Sequence, residues 1–526
     1  MAGSGTGPTI TLVSEDQAST PVDLLKRRSR QDPDRELVRF DDGTRLRIGD
    51  VDDGSRALAA RLRVPPGTRV LTCVRPGRTA VDLLFGLARQ GAVEVPLALD
   101  VTLAAAESIR RSTGAAVLVA GTSALAGNPP LRALLSRVER VVLVPEDDPG
   151  PTGYPVLDEL PAAGAREHRP VPGDVLVVLS TSGTTGRAKA AELPHFAALR
   201  HARRVAATMG YGPGDVLFNV FPWNHVNVRH TALLPALLTG ARLVAHRHFS
   251  ASRFWDTCRA EGITAFNFMG AMLAILDRRP GDDHEHAVRL AYGAPAPAEL
   301  AARFLDRFGV RALEAYASTE LGDVAANTPH DWRPGTAGRV VPEYEVAILD
   351  ETGQPLPPGR TGQIAARAKL PDMRFRGYAG DPGATAAVLR AGWFHTGDRG
   401  RLDADGYLTF AGRRGDVVRR RGENIATWDV EQVLRALPGV VDAAAVGVAS
   451  DLTEQELLVV LATADHALDG PAVRDWCRTR LPRHAQPRYV RITRDLPRNG
   501  SGKVVKSLLA ATVDESTWDA ERRSAQ

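Results

Sequence analysis

The stretch DVLVVLSTSGTTGRAK, residues 174–189, decides how this chain is read. Residues 174–179 are predicted to be a strand, and the unbroken apolar run from Val175 is what a strand buried on both faces requires. The strand passes directly into Ser180, Thr181, Ser182, Gly183, Thr184, Thr185 and Gly186, and then into Arg187, Ala188 and Lys189. Glycines let backbone N–H groups turn toward an anion, hydroxyls add short donors, and Lys189 adds a positive charge. The spacing is neither Gly-x4-Gly-Lys-Ser/Thr nor Gly-x-Gly-x-x-Gly, so two familiar nucleotide loops are excluded. A flexible Ser/Thr/Gly linker is the competing reading. A loop set against a buried strand, with two charges at its far end, favours phosphate.

Outward from this loop, short apolar runs alternate with helix-like stretches. Strands are predicted at 70–74, 92–96, 116–120 and 141–144, with helices at 79–90 and 131–138. Strand-helix-strand alternation implies α/β architecture with helix-covered parallel sheets. The pattern repeats beyond Ala241, with strands at 242–245 and 264–268 around a helix near 252–259. After Pro342 the texture becomes β-rich, with short strands at 345–350, 362–366 and 406–410. Helical patterns return at 428–437, 471–481 and 503–511, and the polar end, 514–526, is expected to fray. The expected organisation is a large N-terminal region, 1–414, and a small mobile α+β C-terminal domain, 415–526.

A chain of 526 residues exceeds one ordinary core. Lys plus Arg number 66 and Asp plus Glu 62, interleaved along the sequence, so the clustered base that nucleic acid demands is absent. Cys73, Cys258 and Cys477 lie far apart and read as small buried side chains, with neither metal nor disulfide spacing. Residues 1–20 lack the pattern of a signal peptide, and no apolar run approaches a membrane span. A cytoplasmic protein without membrane or nucleic-acid partners is expected. Its oligomeric state is not encoded in any pattern.

Six segments, in order and covering nearly the whole chain, resemble the adenylate-forming (AMP-binding) superfamily of acyl-CoA synthetases, adenylation domains and luciferases. The first is the loop itself, which resembles that superfamily's phosphate loop. Tyr292, Gly293, Ala294 and Pro295 resemble its adenine-binding turn. Tyr316, Ala317, Ser318, Thr319 and Glu320 resemble Tyr-Gly-x-Thr-Glu, with Ala317 in place of the usual glycine. That resemblance implies Tyr316 against adenine, Thr319 on phosphate, and Glu320 holding Mg²⁺. Residues 392–398 resemble the ribose motif, and Gly412 and Arg413 resemble the motif that ends the large domain, which implies that Asp398 binds ribose hydroxyls together with Arg413. Residues 497–506 resemble the C-terminal catalytic loop, which implies Lys503 in the active site. The resemblance thus implies ATP, Mg²⁺ and coenzyme A as cofactors and a small carboxylic acid as substrate. The reaction would give an acyl-adenylate and pyrophosphate, followed by transfer to CoA.

Residues 267–273 and 419–425 are similar to the carnitine/crotonobetaine-CoA ligase group. There, Gly422 would let pantetheine approach and the run Arg419 to Arg421 would meet CoA phosphates; a solvated basic turn is the alternative. Gly415 stands where the hinge usually carries Asp or Lys. Residues 221–227 resemble the gate segment, with His225 at the gate. Arg229 and His230 follow, where an acyl pocket is usually apolar. Facing the pocket, they imply a small polar or doubly anionic acid; facing away, they say nothing of specificity. The cluster Asp282, Asp283, His284, Glu285 and His286 lacks metal-site spacing and reads as a solvated loop. Two other functions remain: an adenylating enzyme of secondary metabolism that serves a carrier protein, an amine or nitrite, and a non-catalytic nucleotide binder.

Overall fold

A computed structural model describes residues 18–148, 150–162, 164, 167–181, 189–279, 285–413, 415–420, 423–450, 455–463, 467–499, 502–509 and 513–521. Among them, two large sheets form the N-terminal region. One runs Gly377–Tyr378, Lys189–Pro194, Val175–Thr181, Val93–Pro96, Arg69–Cys73, Val117–Gly121 and Arg140–Val144. Its centre is parallel and buried, as the continuous apolar runs require. Val175–Thr181 pairs antiparallel with Lys189–Pro194, and Thr181 lies opposite Lys189. The phosphate-loop segment therefore joins the two arms of a hairpin.

The second sheet places Gly322–Ala326, Arg311–Ser318, Leu290–Ala294, Ala265–Met269, Val216–Asn219 and Arg242–Ala245 side by side. One face packs Phe266 and Phe268 against Phe254, Leu273, Phe304 and Phe308 of the helices Phe254–Glu261, Gly270–Asp277 and Ala298–Phe308. The other face meets the helix His195–Met209 and the helical segment 226–239. That segment is α-helical at Val226–Val228, widens to a π-helix over Arg229–Leu233, and returns to α-helix at Leu234–Thr239. Pro235 has no N–H to donate, and the Leu234 N–H reaches back five residues to the Arg229 carbonyl.

A third sheet carries Tyr344–Leu349, Gly362–Ala368, Trp393–Leu402 and Leu408–Arg413, matching the β-rich texture after Pro342. Beyond it, Val440–Ala449, Gln455–Thr463, Tyr489–Thr493 and Trp518–Asp519 form a sheet packed on the helices Thr427–Arg435 and Gly470–Arg478. The mixed α/β class, with a large N-terminal part and a smaller β-rich C-terminal part, is as expected.

Three local expectations need correction. Residues 503–509 are not helical from Lys503, and residues 510–511 lie outside the described residues. Val504 bridges to Arg498, and among the described residues of this segment only Lys506–Leu508 make a 3₁₀ turn. The helix expected at 131–138 is replaced by a 3₁₀ segment, Pro129–Leu134, because paired prolines start it and the tighter turn ends early. The end does not simply fray, since Trp518 closes against Val490. All three cysteines are buried, and none is in a disulfide.

Candidate functional site

Three sheet-borne side chains meet where the ribose and adenine motifs converge. Asp398 and Arg413 are cross-strand partners on Trp393–Leu402 and Leu408–Arg413, and their side chains pair at 3.3 Å. Tyr316, on Arg311–Ser318, donates its hydroxyl to Asp398 Oδ2 at 2.7 Å. Burial raises the pKa of the Asp398 carboxyl, and Arg413 and Tyr316 pull it back. Burial beside Asp398 also pushes the Tyr316 phenol well above its ordinary value, so it stays a donor. Phe410 lies behind the Tyr316 ring at 6.3 Å. Gly293 is there because the neighbouring strand is close: a Cβ at this position would meet the Phe268 carbonyl oxygen at 2.0 Å. It is followed by Ala294 and Pro295 at the end of the strand Leu290–Ala294.

Thr319 and Glu320 leave the strand Arg311–Ser318 half-buried, with Ala317 exposed and the Ser318 hydroxyl enclosed without a partner among the described residues. Glu320 Oε1 accepts from the Tyr378 hydroxyl at 2.8 Å. Lys189 Nζ stands 4.9 Å from the centroid of the same Tyr378 ring, in cation–π range. Tyr378 thus joins the carboxylate to the end of the phosphate-loop hairpin. Thr181 is at the other arm, its hydroxyl directed at the Lys189 carbonyl at 3.4 Å. Ser182, Gly183, Thr184, Thr185 and Gly186 lie outside the described residues.

Lys503 reaches this cleft from the C-terminal part. Its loop is closed by Asn499, whose backbone N–H donates to the Lys503 carbonyl at 2.9 Å and whose Oδ1 accepts from the Lys503 N–H at 3.0 Å. Arg498 braces it, donating to the Gly502 carbonyl at 3.0 Å and to Asp442 at 2.7 Å. Gly502 has φ +79, and a Cβ there would stand 3.2 Å from the Met269 sulfur, so glycine lets the loop seat on the N-terminal region. The Lys503 side chain is exposed to the cleft yet deep among protein atoms. Desolvation and Arg413 lower its pKa, while Asp398 and Glu320 raise it. One cation thus stands in the field of both carboxylates.

The side of the cleft around His225 is different. His225 is half-buried and its Nδ1 accepts from the Asn227 N–H at 3.2 Å, which puts the ring proton on Nε2. Burial, then the Lys503 charge, lower its pKa to about 4, so it is neutral at physiological pH. Arg229 faces inward but is not available. It is 2% exposed and forms a fork on Glu94, at 2.6 and 2.9 Å, and it also donates to the Trp223 carbonyl. Glu94 takes a further bond from Thr72 at 2.9 Å. His230 is buried edge-on to His201 at 5.9 Å, and burial holds it uncharged, its pKa well below the usual value.

The hairpin Val417–Arg420/Glu423–Ala426 corrects the idea of a free arginine run. Arg420 is buried, paired with Glu456 at 2.5 Å and donating to the carbonyls of His484 and Gln486 at 3.1 and 2.8 Å. Arg419 is exposed, and its backbone N–H donates to Gln455. Arg421 and Gly422 lie outside the described residues, as do Asp282, Asp283 and His284. Among the described residues no cluster of His, Cys, Asp and Glu forms a metal cage, and no helix is long and apolar enough to cross a membrane.

The sequence model of the AMP-binding enzyme family matches residues 25–379, and that of the AMP-binding enzyme C-terminal domain matches residues 429–503. This chain belongs to the AMP-binding enzyme family. Among its relatives, a crotonobetaine/carnitine–CoA ligase of Salmonella choleraesuis (strain SC-B67) is 30% identical over 440 residues, spanning 81% of this chain and 84% of the relative. A feruloyl-CoA synthase of an Amycolatopsis species is 31% identical over 501 residues, spanning 91% and 96%. The crystal structure of ATP-bound MatB from Rhodopseudomonas palustris superposes with a TM-score of 0.82 at 25% identity, covering 93% of this chain and 98% of that one.

In this AMP-binding enzyme, three residues of the site escaped the sequence reading. Tyr378 and Arg498 carry no periodic signal and act across the fold. Glu94 did leave one: a carboxylate inside an apolar strand must find a cation.

Proposed function

We propose that the chain is an AMP-forming acid–coenzyme A ligase. A carboxylate oxygen attacks the α-phosphorus of ATP, the bond to the β-phosphate oxygen breaks, and pyrophosphate leaves an acyl-adenylate. The thiolate of CoA then attacks the acyl carbon and AMP departs. The observation that carries this reading is Lys503 standing in the field of Asp398, Glu320 and Arg413. A cation there bridges the incoming carboxylate and the α-phosphate, where negative charge shifts during the first step.

In this reading Asp398 and Arg413 take the ribose hydroxyls, while Tyr316 and the turn Gly293, Ala294 and Pro295 frame the adenine. Ala317 and Ser318 border the nucleotide. The loop Thr181 to Gly186, with Thr319 and Lys189, holds the phosphates. Glu320 suits Mg²⁺, a hard ion that takes one or two carboxylates plus substrate phosphates. One of its oxygens accepts from Tyr378 and the other meets no donor among the described residues. Bound there, Mg²⁺ would neutralise phosphate charge. Neutral His225 gates the acid. Arg419 and Gly422 would serve the CoA face after residues 415–526 turn as a unit against 1–414, a turn that Gly415 permits. A cytosolic setting fits this chemistry.

The test is ATP-, acid- and Mg²⁺-dependent release of AMP and pyrophosphate across a broad acid panel, with CoA thioester formation read in parallel. Adenylation without any effect of CoA would reassign the acceptor. A protein that releases no pyrophosphate with any acid is not this enzyme.

A further inference from the structure

Beneath the Lys503 loop, the wall of the cleft is polar but uncharged. Asn267 stands two residues before Met269 on Ala265–Met269, about 7 Å along the strand from the residue whose sulfur faces Gly502. Asn267 is 1% exposed, and its Nδ2 donates to Thr231 Oγ1 at 2.9 Å. Thr231 spends its own proton on the Asn227 carbonyl, so it must accept from Asn267. That fixes the orientation of the amide. It leaves Asn267 Oδ1 enclosed, with no donor among the described residues. Across from it, the Phe221 N–H donates to Asn219 Oδ1 at 2.9 Å and so turns Asn219 Nδ2 onto Asn227 Oδ1 at 2.8 Å. The two basic side chains at this depth are committed: Arg229 to Glu94, and His230, uncharged, against His201.

An enclosed acceptor without a donor is costly, and a ligand that supplies the donor recovers that cost on binding. Among the described residues a second carboxylate would find no uncommitted cation at this depth, and it would meet the acceptor Asn267 Oδ1. Half-buried Met269 is unbranched and flexible, so it can move aside to admit the group. We propose that the acid activated here carries a neutral hydrogen-bond donor on its tail, a hydroxyl or an amino N–H, and that Asn267 Oδ1 receives it. This rests on the adenylating reading above and specifies its substrate class.

The test is ATP-dependent pyrophosphate release on matched acids. The hydroxybenzoates and aminobenzoates are compared with the corresponding methylbenzoates, and 3-hydroxybutyrate with 3-methylbutyrate. Malonate and succinate serve as dianions. The expected result is a hydroxyl or amino acid ahead of its methyl partner in kcat/KM by about 10- to 100-fold, with the dianions behind both. Asn267→Leu should reverse that ratio. Thr231→Val, a milder change, releases the Asn267 amide to flip and should shrink the ratio. Methyl acids or dianions preferred throughout, or a ratio that neither variant moves, overturn the inference while adenylation stands. If no acid yields pyrophosphate, the adenylating reading itself falls.

Discussion

The two ends of the cleft, proposed above to hold the nucleotide and the acid, handle charge in opposite ways. At the nucleotide end, Lys503 stands in the field of Glu320 and Asp398 with Arg413 paired on Asp398, and desolvation acts on Lys503 and Asp398. At the acid end, Arg229 closes on Glu94 and His230 is held neutral. Charges that must meet a polyanion are left available, and charges that frame a pocket are cancelled within the protein. The basic residues of the acid wall therefore build shape, while amides and hydroxyls provide what contact a substrate finds.

The largest expected effect tests the closed pair. Arg229→Ala strands a buried carboxylate, and should lower unfolding stability by about 3–5 kcal/mol in urea melts. Adding Glu94→Gln should recover most of it. A variant that keeps its stability but changes acid preference would break the contrast. Next, Lys503→Ala should slow pyrophosphate release by about 10²- to 10³-fold, yet spare thioester formation from supplied acyl-adenylate. The charged amine is the active form and its pKa is lowered, so the wild-type rate should fall as pH rises through a value below that of an ordinary lysine. An alkaline limb at or above the ordinary value would place Lys503 outside that field. The smallest effect sharpens the nucleotide end. Tyr378→Phe removes one bond to Glu320 and should cost about 10-fold in turnover, with a higher half-saturating Mg²⁺ concentration.

The site residues that could be read from sequence sit on local chain geometry. Asp398 and Arg413 are legible because each ends a short motif on a strand, and the hairpin brings them together. Partners distant in sequence were not legible. Glu94 and Arg229 are 135 residues apart, and Tyr378 and Glu320 are 58 apart, so no periodicity links them. The same limit misread the arginine run. Arg419 and Arg420 alternate across a strand, so one faces solvent and the other is drawn into an ion pair with Glu456. The α/β class was legible because buried parallel strands are apolar throughout. The antiparallel partner of Val175–Thr181 was not, since a hairpin and a crossover begin with the same strand.

Lys506 lies one short turn beyond Lys503 and has a different task. It is bound to Asp416 at 2.9 Å, to Thr427 at 3.0 Å and to Glu431 at 2.7 Å. Asp416 adjoins Gly415, so the loop that delivers the amine is lashed beside the proposed pivot. If residues 415–526 turn there as proposed, the two lysines move as tip and crank of one lever, and a twist at Gly415 carries Lys503 out of the cleft.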